Sequence, residues 1–153
     1  MPMIDLTVVE GSIPEQALVG LLDELATILL RWEQAPDTEF FREITWVYLH
    51  EVAPSRLAVG GRPGGEPRFR VEVTVPEGAL SQRRKDGLAA GVHAAVMSAA
   101  GLDPQTPQAL HVWTLIREVP EGSWAAAGHV VHFEGLKKAA AFEREHSAAV
   151  PSS

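Results

Sequence analysis

Apolar and polar residues alternate from Met3 to Val9, with Ile4, Leu6 and Val8 on one side and Met3, Asp5 and Thr7 on the other. A period of two predicts a β-strand over residues 3–9 with one face toward a core. Glu10-Gly11 then reads as a turn, and the period changes. Leu18, Leu21, Leu22, Leu25, Ile28, Leu29 and Trp32 recur at helical spacing, which predicts an amphipathic helix ending near Trp32. Ser12 stands where it can cap that helix, with Glu15 placed to reach back. A loop containing Pro36-Asp37 leads to a second strand over residues 44–51, and Ala58-Val59-Gly60-Gly61 makes a short extended end.

The same order then repeats. Thr7-Val8-Val9-Glu10-Gly11 reads against Thr74-Val75-Pro76-Glu77-Gly78, a spacing of 67 residues. Without a gap, Gly20-Leu21 meets Gly87-Leu88, Trp46 meets Trp113, Glu51-Val52 meets Glu118-Val119, and Gly61 meets Gly128. Chance similarity does not hold one register across a helix and two loops. Two copies are too few for a solenoid, so the pattern indicates duplication and fusion. In the second copy, Phe69–Val75 and Leu110–Glu118 read as strands. Leu88, Val92, Ala95, Val96 and Ala99 form the helical stripe between them, opened by Ser81 and stopped by Gly101 and Pro104. The expected organisation is a single domain over 1–153: a first β-α-β unit at 2–61, a linker at 62–68, a second unit at 69–128, and a tail at 129–153. In the tail, His129–Phe133 reads as an extra strand, Gly135 to about Glu145 as a short helix, and Val150–Ser153 as a frayed end.

Strand, crossover helix and parallel strand make a β-α-β unit. Two of them predict an α+β fold, a four-stranded sheet with two helices on one face. The other face needs cover. Val47, Leu49, Thr114 and Ile116 are expected to leave it partly apolar, which points to an oligomer.

Composition narrows the functional classes. The chain has 153 residues, 46% of them hydrophobic, enough for one sizeable core. It has no cysteine, which excludes disulfides and thiolate chemistry. The net charge is −7 without a basic stretch, so no nucleic-acid partner is expected. No apolar run reaches the roughly 20 residues of a membrane span, and no signal-peptide pattern is visible. The expectation is a cytoplasmic protein without a membrane partner. His129 and His132 lie three apart on a predicted strand and so on opposite faces, and no metal site is expected from them.

Several short pieces together resemble the tautomerase superfamily: Met1-Pro2 before a strand, Glu10-Gly11 before a helix, Glu51-Val52 and Val59-Gly60-Gly61 after the second strand, and Trp124 four residues before Gly128. The single unit is similar to 4-oxalocrotonate tautomerase (4-OT). The double length resembles the fused members cis-3-chloroacrylic acid dehalogenase and malonate semialdehyde decarboxylase. The likeness covers about residues 2–133. It implies a tautomerase-like fold, a homotrimer, no cofactor, and an N-terminal proline as general acid/base. That proline is Pro2 once Met1 is removed. A secondary amine whose ordinary value lies at about 8 moves protons well when burial or a cation favours its neutral form.

The resemblance also implies substrate arginines, and these are replaced. Their positions carry Ser12 and Ala79, Trp46 and Trp113, and Pro76. The family's hairpin aromatic falls at Leu57 and Trp124. Substrate-binding candidates are therefore Trp124, Arg117, Arg70, Trp113, His50 and Ser12. Trp46, Tyr48 and His50 share one strand face, and Trp113, Leu115 and Arg117 share the equivalent one. Each candidate has a plainer alternative: an interface role for Trp124, solvation for the arginines, a single hydrogen bond for His50, capping for Ser12. The leading expectation is an isomerase that interconverts enol and keto forms of a small 2-oxo acid-like substrate, a carboxylate. Rival expectations are a hydratase, dehalogenase or decarboxylase on a short unsaturated or 3-oxo acid, and a non-catalytic trimeric ligand-binding protein.

Overall fold

The computed structural model describes residues 2–147, so the expected fraying of 150–153 lies outside the described residues. Four strands form the central sheet: β1 (Met3–Val9), β2 (Trp46–Val52), β5 (Phe69–Pro76) and β6 (Val112–Val119). Their spatial order is β2-β1-β5-β6. β1 runs parallel to β2 and β5 parallel to β6, while β1 and β5 meet antiparallel at the centre. Helices α1 (Glu15–Glu33) and α3 (Gln82–Ala99) cross over within each half and pack on each other.

The 67-residue spacing reappears in three dimensions. Two small hairpins, β3 (Ala58–Val59) with β4 (Arg62–Pro63) and β7 (Ala125–Ala126) with β8 (His129–Val130), occupy equivalent positions in the two halves. Gly11 and Gly78, equivalent turn residues, both have positive φ, 74° and 79°. That conformation is open to glycine at little cost, which explains Glu-Gly at both turns.

The core lies between the sheet and the two helices. Ile4, Leu6, Val71 and Val73 meet Leu21, Leu25, Leu29, Leu88, Val92 and Val96, all at most 1% exposed. Burying each such aliphatic side chain stabilises the fold by about 1.5–3 kcal/mol. α1 and α3 approach closely at Gly87, where the Trp32 ring occupies the space a β-carbon would fill.

Several expectations are corrected. Ser12 does not cap α1: its hydroxyl donates to the Val9 carbonyl within the turn, and Pro14 holds the cap position. Val47, Leu49 and Ile116 face the helices and pack on the core. The open sheet face instead carries Trp46, Tyr48, Trp113 and Leu115, exposed at 57%, 47%, 69% and 38%. The strand period was right, but the edge strands turn the opposite set inward. Arg62 and Pro63, expected in the linker, form β4. The loop after Pro36 contains a short helix α2 (Glu39–Glu43), started by Thr38, whose hydroxyl accepts from the Phe41 N–H. The extra strand stops at Val130, and Phe133 opens α4 (Phe133–Ser147) instead.

Candidate functional site

Pro2 lies just ahead of β1 and is buried. Its place follows from strand pairing. Met3 stands beside Trp46 in the parallel β1–β2 register, and the Trp46 N–H donates to the Pro2 carbonyl at 3.3 Å. Two cavities meet at this residue. One, of about 200 Å³, lies between the end of α1 and α4, with Pro2, Glu33, Gln34, Lys137, Ala140 and Arg144 among its walls. The other, of about 670 Å³, opens toward the second hairpin, where Trp46, Ser123, Trp124 and Ala125 join Pro2. The second lies within the size range of small-molecule sites.

The walls differ in chemistry. On the α4 side stand two cations and one carboxyl. Burial pushes the Glu33 carboxyl up to about 7. Lys137 Nζ pairs with Glu134 at 2.8 Å and lies 4.7 Å above the Phe133 ring. Arg144 Nη2 donates to the Gln34 carbonyl at the end of α1, 2.9 Å away. On the hairpin side the surface is aromatic and methyl-rich. Trp46 is fixed there by its indole N–H, which donates to the Glu43 carbonyl at 3.0 Å.

α4 reaches the site by two attachments. Its apolar side carries Ala140, buried against Leu30 and Phe41. At its start, Glu121 from the hairpin loop accepts from the Phe133 N–H and pairs with His132. The His132 hydrogen bond, with help from the Phe133 N–H, holds the Glu121 carboxyl below the usual carboxylate range. A carboxylate at a helix N-terminus is favourably placed against the exposed amides there.

The remaining sequence candidates lie elsewhere. Trp124 joins Pro2, but Arg70, Arg117 and His50 line a different, open cavity on the bare sheet face. Arg117 and Arg70 both pair with Glu72, at 2.7 and 3.1 Å, and His50 pairs with Asp5 at 2.7 Å. Asp5–His50 and Glu72–Arg117 are one contact repeated at the 67-residue spacing, and Asp5 and Glu72 stand directly opposite each other in the β1–β5 register. Trp113 is exposed on edge strand β6, its indole N–H donating to the Leu110 carbonyl. Asp37 is gripped through two oxygens by Arg42, which holds its carboxyl below the usual range. Sequence reasoning missed Glu33, Lys137, Arg144 and, as a pocket wall, Trp46. The available signal was the helical stripe Phe133, Leu136, Ala140 and Arg144 in a segment read only as a short helix.

The family model described as Tautomerase enzyme matches residues 70–134. The match spans the second unit, from β5 to the start of α4. The whole chain has the fold of fused, double-length structures of known proteins. It is similar to a wild-type fused 4-OT solved as a symmetric trimer: 20% identity, 87% of this chain and 97% of that one, TM-score 0.70. It is similar to a member of the cis-3-chloroacrylic acid dehalogenase family: 19% identity, 97% and 92% coverage, TM-score 0.70. A third relative was solved after inactivation by 2-oxo-3-pentynoate: 17% identity, 84% and 94% coverage, TM-score 0.69. At these identities the likeness is one of fold. A search of curated proteins by sequence gives no match.

Proposed function

We propose that the chain is a cofactor-free tautomerase-like isomerase in which Pro2, freed by removal of Met1, is the general acid/base. The observation that carries this reading is the burial of Pro2 where two cavities meet. Desolvation favours the neutral amine, and Glu33 in its charged form opposes it. The neutral amine takes the enol proton of a small 2-oxo acid-like substrate. The oxygen lone pair re-forms the carbonyl, the carbon–carbon double bond takes up the proton from the ammonium at carbon, and the amine is regenerated. Trp124 and Trp46 enclose the apolar part of the substrate.

The test is ketonisation of phenylenolpyruvate or 2-hydroxymuconate, followed by ultraviolet absorbance. Wild type accelerates the reaction, and Pro2→Ala lowers the rate by about 10²–10⁴-fold. Equal rates in the two proteins, or an intact mass that retains Met1, sink the proposal. As a second readout, 2-oxo-3-pentynoate adds one equivalent to the wild-type protein, and peptide mapping places the adduct on Pro2.

A second reading is favoured by Glu33, whose carboxyl titrates near neutrality within the Pro2 cavity. Such a group is suited to activating water for a hydration-type reaction. Halide or carbon dioxide release from a panel of 3-halo and 3-oxo acids distinguishes it from isomerisation. We also propose a homotrimer that covers the aromatic residues of the open sheet face; a fused 4-OT of the same fold was solved as a symmetric trimer.

A further inference from the structure

The positions at which the resemblance implies carboxylate-binding arginines hold no cation in this chain. Of the cations first considered, Arg70 and Arg117 are drawn to Glu72, and His50 to Asp5, on the open sheet face. In the cavity beside Pro2 the cationic walls come from α4 instead.

We infer that Lys137 and Arg144 form the carboxylate-binding end of the Pro2 site, so that a substrate is held by its carboxylate at α4 with its apolar remainder against Trp46 and Trp124. This rests on the Pro2 reading and adds to it the anchoring group and the substrate class: monocarboxylates with an apolar tail.

Several observations support it. Lys137, Ala140 and Arg144 follow one another at helical spacing, and all three line the cavity. Ala140 is buried against Leu30 and Phe41, so this side of α4 is the one turned toward the protein. Arg144 gives one Nη2 hydrogen bond to the Gln34 carbonyl, and a guanidinium has five donors in a fork that matches a carboxylate. The Lys137 ammonium has three donors, one directed to Glu134. Against these two charges stand Glu134, paired with Lys137, and Glu33, whose carboxyl burial keeps partly protonated near neutral pH. A local excess of positive charge in a half-enclosed site attracts anions, although the chain as a whole carries −7. The wall on the other side of Pro2 is aromatic and methyl-rich, which suits an apolar tail better than a second carboxylate.

The experiment compares two reagents on Lys137→Met/Arg144→Met, a variant that keeps the apolar stems. One is 2-oxo-3-pentynoate, an anion; the other is 3-pentyn-2-one, its neutral methyl ketone. Labelling of Pro2 by the anion slows by about tenfold or more, while the neutral reagent stays within about twofold. An unchanged anion rate, or an equal loss with both reagents, overturns the inference. A second arm does not need a reactive Pro2. Cinnamate is titrated calorimetrically into Pro2→Ala with and without the α4 substitutions. Binding to Pro2→Ala that weakens about tenfold in the triple variant supports the anchor. Equal binding in both, or none in either, overturns it. If neither reagent labels wild type at Pro2 but cinnamate binding still depends on α4, the catalytic reading has failed and the anchor has not.

Discussion

At the scale of single residues, Glu33 carries the clearest consequence. Its carboxyl rises from 4.5 to about 7 because burial disfavours the charged form. The folded protein therefore holds a proton that the unfolded chain has already lost between those values. Stability is greatest below about pH 4.5 as far as this group is concerned, and falls as pH rises to 7. The full span corresponds to at most about 3 kcal/mol. Glu33→Gln removes the dependence. Urea melts should show the variant more stable than wild type by about 1–3 kcal/mol at pH 8 and nearly equal to it at pH 4.5. An identical difference at both pH values contradicts the assignment. The sequence placed Glu33 at the end of an amphipathic helix but did not mark it. Its titration depends on its burial in the folded chain, where it lines one cavity with Pro2 and α4.

At the scale of elements, the two halves are equivalent in plan and unequal in packing. Gly20 and Gly87 share a register position, yet only Gly87 faces a close neighbour, the Trp32 ring. A methyl at Gly87 forces that ring away, and overpacking of this kind costs about 1–3 kcal/mol. At Gly20 nothing lies within 4 Å of the added carbon, and alanine is the better helix former by about 1 kcal/mol. Gly87→Ala is expected to lower the melting temperature and Gly20→Ala to raise it slightly. The same direction in both variants contradicts this account of the α1–α3 contact. The helical stripes predicted both helices correctly, but the asymmetry at their crossing was hidden, because it depends on where one tryptophan ring comes to rest.

For the whole molecule, the open sheet face is the outstanding feature. Trp46, Tyr48, Trp113 and Leu115 stand exposed there around the Asp5–His50 and Glu72–Arg117 pairs. Exposed aromatic residues on one contiguous face indicate a contact surface. Sedimentation equilibrium is expected to give three copies, and Trp113→Lys with Trp46→Lys to shift the population toward monomer. A wild-type monomer at micromolar concentration removes the trimer from the proposal. The chain also has no helix among the described residues long and apolar enough to cross a membrane.

The amino-acid pattern by itself determined the repeat, the strand and helix order, and the position of Pro2 ahead of the first strand. Those features follow from local periodicity and from one spacing kept along the chain. Which strand face lies inward was decided by packing, since alternation on edge strands β2 and β6 is compatible with either side until the helices dock. The cations beside Pro2 were decided by tertiary structure alone. Lys137 and Arg144 are more than 130 positions from Pro2 in the sequence, and only the seating of Ala140 on Leu30 and Phe41 brings them to it. Arg70 and Arg117 looked closer along the strands, but they project to the face away from the helices, where Glu72 takes them up.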